Sequence, residues 1–437
     1  MTIMIEISSL LILMWTQSSI TVESEEDVTT CLSPNNGAGP FWCYGSPLVV
    51  RIGDDVFVSA METGENIPPL CNTRWRIFRK HGNDNWEMVQ SAEKFNQREP
   101  CPLVGFPDGR LFLSTNPSTQ PVGTQYGACD PHLIEFSAEN PQNPGVPSRP
   151  IWDNDTVFTD HSYRGVAADG RNKEILLLNI HARSGDQFWS FRDANNQWTK
   201  HGSIKFPIRS CYPQVALRGK SAHVMAISDI VEPVEEWRKY KFEQTKASWD
   251  YVFRKLFYTF TPNITEKDFS EQIEIDSVES TSGHILNLDL WIDENGSAHI
   301  LYRKQNIQSA LMRDKFFPNV PITTSLEYVV IKNGEIVRRR TLIESIEGKS
   351  DELPSYARFH VSSNGRLFVL YSCGRKGQNK IMEITENGHS EPILIPLRKP
   401  FGMFFTAIER GGSKPSDIID IYGPGEGTVI RYARVRF

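Results

Sequence analysis

Three short stretches combine side chains that move protons with side chains that grip anions: HSYRG at residues 161–165, NIHAR at 179–183 and RSCYP at 209–213. Arginine presents a planar fork of donors that matches a carboxylate or sulfate, and histidine and tyrosine exchange protons. This inventory suits β-elimination from an acidic sugar polymer. There a cation neutralises the carboxylate, a base takes the proton beside it, and an acid protonates the leaving oxygen. His161 or His181, Tyr163 or Tyr212, and Arg164 or Arg209 are the candidates for those roles. Glycoside hydrolysis is the second chemistry, requiring an arginine cluster, a tyrosine nucleophile and a carboxylic acid. Arg164, Arg209, Arg303 and Arg358, with Tyr356 and either Asp229 or Glu232, supply that set. Arg183, Trp237 and Arg375 complete the candidate binding residues. A surface that holds glycan without cleaving it is the third reading.

These residues are far apart in sequence, so a repeated scaffold must gather them. Segments sharing one plan, a turn glycine followed by an apolar run, recur at Gly53, Gly109, Gly170, Gly219, Gly296, Gly365 and, more weakly, Gly412. Asp-Gly and Asn-Gly pairs supply the positive φ of tight hairpins. The glycines are spaced by 56, 61, 49, 77, 69 and 47 residues, the interval of propeller blades with loop insertions. Second halves such as WRIFRKHGNDNWEMV and LEYVVIKNGEIVRRR read as strand, turn, strand. The fold expected is therefore all-β, a seven-bladed propeller of four-stranded antiparallel blades, with six blades as the alternative. The last blade shows three clear strands, and the N-terminal region is expected to provide its fourth. In such a ring, the loops that lead into first strands and those joining second to third strands open on one face, which places the candidates together.

The 77-residue interval contains VEPVEEWRKYKFEQT at 231–245, where acid precedes base in the order a helix dipole favours. A helical insertion is expected at about residues 230–250, in blade four. Trp237 and Tyr240 on it face either a ligand or the blade. Similar alternatives apply elsewhere. His223 and His299 occupy equivalent second-strand positions and, with His360, read as structural. Asp250 and Arg254 read as a supporting ion pair. His161 and His181 admit both a functional and a structural role.

The net charge of −6 excludes a basic stripe for nucleic acid. Residues 7–15 have the length of a signal-peptide core and are too short to span a bilayer, although Glu6 replaces the usual basic lead. Residues 1–30 are thus expected to be signal peptide and tail, residues 31–437 one propeller domain, and the chain an exported monomer, secreted or periplasmic, without a membrane span. Seven cysteines show no metal-finger spacing. Cys31 with Cys43, or a pair among Cys71, Cys101 and Cys129, is available as a staple. No cofactor and no site metal is expected; DNDT at 153–156 reads as a solvated turn, with structural calcium as the alternative. Asn154, Asn263 and Asn295 begin glycosylation sequons.

Over residues 46–437 the units DGRLF, GSAHILYR and NGRLFVLYS give the chain a likeness to the sialidase-like, BNR-repeat β-propellers. That family's S-x-D-x-G-x-x-W box survives only as the traces HGNDNW (81–86) and RDANNQW (192–198). Seven blades and the HSYRG and NIHAR stretches are closer to the secreted polysaccharide lyases of that superfamily, which include ulvan lyases. The likeness implies a His/Tyr acid–base pair and an Arg neutraliser, whose nearest positions are His161, Tyr212 and Arg209. The ligand expected on all these grounds is an acidic polysaccharide.

Overall fold

The structure, a computed structural model, describes residues 20–153, 156–349, 352–374 and 377–437. Among them the strands form seven antiparallel four-stranded blades arranged in a ring. The innermost strands, in chain order, are Val49–Ile52, Leu103–Gly105, Gly165–Asp169, Ser210–Arg218, His284–Ile292, Pro354–Val361 and Phe405–Thr406. Each is covered on both faces by neighbouring blades, so it is apolar or internally satisfied nearly throughout, whereas the outer strand Glu335–Ile346 is largely exposed. In blade six the fourth strand is split into Gly388–His389 and Ile393–Ile395.

The N-terminal Thr21–Thr30 pairs with Val429–Arg436 and becomes the outer strand of blade seven. The ring therefore takes in residues 21–30, which the sequence reading assigned to the tail. Glu25 anchors this closure through Arg431 at 3.0 Å and the backbone N–H of Arg398 at 2.8 Å. The expected signal segment falls on residues 1–19 and lies outside the described residues. So do Asn154 and Asp155 of the DNDT turn; Asp153 pairs with His201 at 2.5 Å. Among the described residues no group of three His, Cys, Asp or Glu side chains is placed to hold a metal, and no helix is long and apolar enough to cross a membrane.

Six of the seven turn glycines have positive φ, and five of them, Gly53, Gly109, Gly219, Gly296 and Gly365, lie in the hairpins that the repeat predicts. Gly170 is the exception. Blade three has a longer turn in which Lys173 takes the left-handed conformation, and Gly170 instead permits close packing, since a Cβ there would stand 2.9 Å from Pro107. Gly412 combines φ +90 with contact so close that a Cβ would lie 1.7 Å from the Gly105 carbonyl oxygen. Its loop crosses the ring, accepting hydrogen bonds from Gly105 N at Gly411 O (2.9 Å) and from Ala168 N at Arg410 O (2.8 Å).

The opposite end of the channel is filled by residues 36–48. Ser46 Oγ donates to Arg164 O at 2.7 Å, Tyr44 hydroxyl to Asn287 Oδ1 at 2.8 Å, and Arg410 Nη1 to Gly45 O at 2.6 Å. All seven thiols are buried and free, and of the pairs that the sequence leaves open Cys71 and Cys129 stand side by side, which pushes the Cys129 thiol up. Cys31 ends the outer strand of blade seven while Cys43 sits in the plug against Glu99, so the two thiols have separate partners.

The insertion is a helix, Glu235–Thr245, between the second and third strands of blade four. Pro233 falls just before its cap, and no base occupies its last turn. Lys241 instead turns toward Glu232 (2.8 Å) and Asp250 (2.6 Å). A second helix, Ala310–Phe316, comes from blade five and receives Tyr240 on Phe316 at 5.4 Å. His223 and His299 are structural as read, bonding Tyr258 at 2.5 Å and Tyr328 at 2.6 Å across equivalent strands.

Gly412→Ala should cost about 3 kcal/mol or more, because left-handed strain and a backbone clash add. Gly53→Ala, at φ +61 with open space around it, should cost about 1 to 2 kcal/mol. Urea denaturation of the two variants gives the comparison, and the reverse order would contradict this account of the ring crossing.

Candidate functional site

The lead-ins to the first strands of blades three and four meet at the channel mouth, and there His161, Tyr163, Arg209, Tyr212 and Asp229 come together. Tyr163 and Tyr212 both have left-handed backbones, φ +40 and +53, which is uncommon for residues other than glycine. Their rings cross at 4.7 Å between centroids, and His161 stands edge-on to Tyr163 at 4.5 Å. The Tyr163 hydroxyl donates to Asp229 Oδ2 at 3.3 Å, and Arg209 Nη1 contacts the same carboxylate at 2.7 Å. Asp229 is buried, whereas the Arg209 side chain keeps 21% of its surface. Gly185, at the tip of the NIHAR turn, packs on the Arg209 stem.

Burial is the main force on the proton affinities here. It lowers His161 to about 4, with Arg98 and Arg209 adding to the effect and Glu99 and Asp229 opposing it. His161 Nδ1 lies 2.6 Å from Arg98 Nη1. An arginine only donates, so Nδ1 accepts and the neutral ring carries its proton on Nε2. Tyr163 is pushed far up by burial, then by Cys211 and Asp229. Tyr212 is pushed up by burial, then by its closeness to Tyr163 and Asp229. Of the two hydroxyls, that of Tyr163 is held by the Asp229 carboxylate.

Beside Tyr212 opens a cavity of 440 Å³ walled chiefly by Phe41, Trp42, Tyr44, Phe253, His284 and Leu286. Tyr44 stacks on Tyr212 at 5.1 Å. Burial, with Arg303 nearby, lowers His284 to about 4. Arg303 itself is half-buried and donates to Gln305 at 3.3 Å.

The remaining candidates are dispersed. His181 accepts from Ser184 N at 3.3 Å at the rim, with Arg183 exposed beside it. Arg164 is buried and holds the carbonyls of Ser114 (2.9 Å) and Pro100 (2.7 Å). Tyr356 and Arg358 lie beneath the plug, where Arg358 donates to the Tyr44 carbonyl and, at 2.5 Å, to the Tyr356 hydroxyl. A ligand on the face meets Tyr44 before either of them. Glu232 is gripped by Arg254 and Lys241, whose hydrogen bonds outweigh burial and lower its pKa. Trp237 packs against Phe317 at 5.8 Å and under Arg254 at 5.0 Å. Arg375 lies outside the described residues.

Sequence reasoning missed Arg98, Glu99, Trp42, Tyr44 and Phe253. Glu99 accepts from Ser162 N (3.1 Å), Ser162 Oγ (3.0 Å) and Tyr163 N (3.1 Å), and so sets the unusual backbone of the histidine–tyrosine stretch. The signal for Arg98 and Glu99 was present: residues 98–99 lead into the first strand of blade two as 161–164 lead into that of blade three. The aromatic run of the plug belongs to no repeat.

The chain is similar in fold to a polysaccharide lyase, Uly1. The two are 9% identical with a TM-score of 0.53, and the likeness covers 95% of this chain and 99% of the lyase. An α-L-arabinanase of Penicillium chrysogenum complexed with arabinobiose gives 12% identity, 94% and 98% coverage and a TM-score of 0.46. The GH93 α-L-arabinofuranosidase of Fusarium graminearum gives 11%, 76% and 91%, and 0.41. No protein-family model matches the chain, and no curated protein does. At these identities the likeness establishes architecture, and the BNR-repeat assignment has no matching family model behind it.

The depressed histidines make stability depend on pH. Their folded pKa values, about 4 for His161 and His284 and about 3 for His223, lie below the ordinary 6.5. Below pH 6.5 the unfolded chain takes up protons that the native state refuses, so the stability present above 6.5 is lost as the pH falls toward 4. Denaturation midpoints between pH 7 and 4.5 should fall accordingly. His161→Gln should flatten the slope, and an unchanged slope would mean that His161 is not held neutral.

Proposed function

We propose that the protein binds an acidic, uronate-containing glycan at the channel mouth and cleaves it by β-elimination. The observation that carries this reading is the cluster of Tyr212 packed on Tyr163, Tyr163 on Asp229, Arg209 on the same carboxylate and neutral His161 alongside. Tyr212 borders the 440 Å³ cavity, so a sugar ring held there reaches its hydroxyl. The exposed edge of Arg209 faces the uronate carboxylate and stabilises the charge that builds on it as the neighbouring C–H bond breaks. Tyr212 takes that proton while its own passes to Tyr163, and the Tyr163 proton passes to Asp229. The electron pair of the C–H bond becomes the new C=C bond, and the C–O bond to the next sugar breaks. Tyr212 then delivers that proton to the leaving oxygen, toward which the Nε2–H of neutral His161 donates a hydrogen bond, and the return of the proton from Asp229 through Tyr163 restores Tyr212.

Elimination is favoured over hydrolysis because it needs a single carboxylate, and the second one that a hydrolase would employ, Glu232, is held by Arg254 and Lys241. The likeness in fold to a polysaccharide lyase is consistent with this choice. The apolar run at residues 7–15 supports export, to the periplasm or beyond the cell, as a monomer.

Purified protein incubated with polygalacturonate, alginate, chondroitin and ulvan should generate the ultraviolet absorbance of an unsaturated uronate. New reducing ends or free sialic acid without that absorbance would indicate hydrolysis instead. Binding with neither signal would leave a glycan-binding propeller and refute the catalytic assignment. Tyr212→Phe and His161→Gln should each lower kcat by about 10²- to 10⁴-fold while far-ultraviolet circular dichroism stays unchanged; full activity in either variant would exclude its role.

A further inference from the structure

The base of the helical insertion carries an aromatic pair that the proposed chemistry does not use. Trp249 is 72% exposed, an unusual degree for so large an apolar ring. It lies flat on Tyr251, with centroids 4.3 Å apart and planes at 20°. The Arg209 guanidinium stands 5.8 Å from the Tyr251 ring and 6.0 Å from the Tyr163 ring. The sequence Trp249, Tyr251, Arg209, Tyr163 is therefore a continuous run of flat groups from open solvent into the site.

The pair is also held in place. Tyr251 belongs to a short ribbon, with Val231 opposite it. Asp250, between the two aromatics, accepts Glu232 N on its carbonyl at 2.9 Å and Lys241 on its carboxylate at 2.6 Å. Glu232 is bound in turn by buried Arg254 at 2.8 Å and by Lys241 at 2.8 Å. Two cations and two carboxylates thus fix a segment whose outermost side chain is bare tryptophan. Packing does not require that arrangement, because Trp249 is largely exposed and its one ring contact among the described residues is Tyr251.

We propose that Trp249 and Tyr251 form a stacking platform for a sugar ring of the same glycan chain, next to the ring held at Arg209, and that the protein accordingly prefers long chains. A pyranose offers an apolar face of C–H groups and a rim of hydroxyls, which suits a flat aromatic open to water on its far side. The occupant follows from continuity, because the platform runs into Arg209, where the proposed reading places a uronate carboxylate. This inference rests on that reading.

The test compares substrate lengths. For wild-type protein, kcat/KM should rise from the shortest cleaved oligosaccharide to the polymer. Trp249→Ala should lower the ratio of polymer to oligosaccharide kcat/KM about tenfold, and Trp249→Phe should restore most of it. Because the ring is exposed, neither substitution should move the thermal midpoint, which excludes unfolding as the cause. Wild-type activity with the ratio unchanged in Trp249→Ala would overturn the platform and leave the functional reading intact. Wild-type protein that neither binds nor cleaves any polymer of the panel would overturn both.

Discussion

At the centre of the ring a buried guanidinium is shared between segments that have no other reason to meet. Arg410 donates to the Gly45 carbonyl at 2.6 Å, to Gln214 of blade four at 2.9 Å and to Asp289 of blade five at 3.1 Å. The other oxygen of Asp289 accepts Phe359 N of blade six at 2.9 Å. One ion pair thereby joins blade seven, the plug and three inner strands. Arg410, Gln214 and Asp289 are all buried, so each partner is satisfied only while the others remain in place. Deleting one member of such a buried pair leaves an uncompensated charge, at a cost of about 3–5 kcal/mol. The hydrophobic contacts between blades are individually interchangeable along the ring, but this arrangement is unique to one place and sets the position of the plug.

The geometry of the site follows from that position. Gly45 lies so close to blade four that a Cβ would sit 2.4 Å from the Pro213 carbonyl oxygen. The plug occupies the space that an ordinary extended approach to the strand would cross. Tyr212, and Tyr163 one blade earlier under the hold of Glu99, accept left-handed backbones instead. Such strain persists only where the surroundings over-determine it, and here two independent anchors do so. The two tyrosine rings are consequently fixed against each other, and the Tyr163 hydroxyl is set on Asp229.

The ring could be read from sequence because every blade repeats one local pattern: apolar runs for strands buried on both faces and positive-φ glycines between them. Residue roles were harder, for a reason visible in HSYRG. Tyr163 faces the channel mouth from a left-handed backbone, while Arg164 beside it turns back to the carbonyls of blade two. Both looked equally suited to a ligand. Arg358 and Tyr356 misled in the same way, because the plug that covers them lies more than 300 residues earlier. Asp229 and Glu232 looked like free acids; their partners Arg209 and Arg254 are 20 and 22 residues distant, a separation over which no local pattern couples charge. The helix in blade four was legible from its charge order, yet Lys241 serves the ion network at its base rather than the helix end.

The ring is locked by residues near the beginning of the chain. The strand Thr21–Thr30 joins Val429–Arg436, and the plug at residues 36–48 bonds to Arg358 and Arg410. On a ribosome these segments are made before the strands they pair with, so they wait longest for their partners. Until the C-terminal blade exists, the early chain carries an unpaired strand and an aromatic stretch with nowhere to bury, the kind of surface that invites wrong association during folding. Completion of the ring and of the cavity is therefore a single late event: the plug that closes the channel also supplies Trp42 and Tyr44 to the cavity wall, so a partly assembled propeller lacks that cavity.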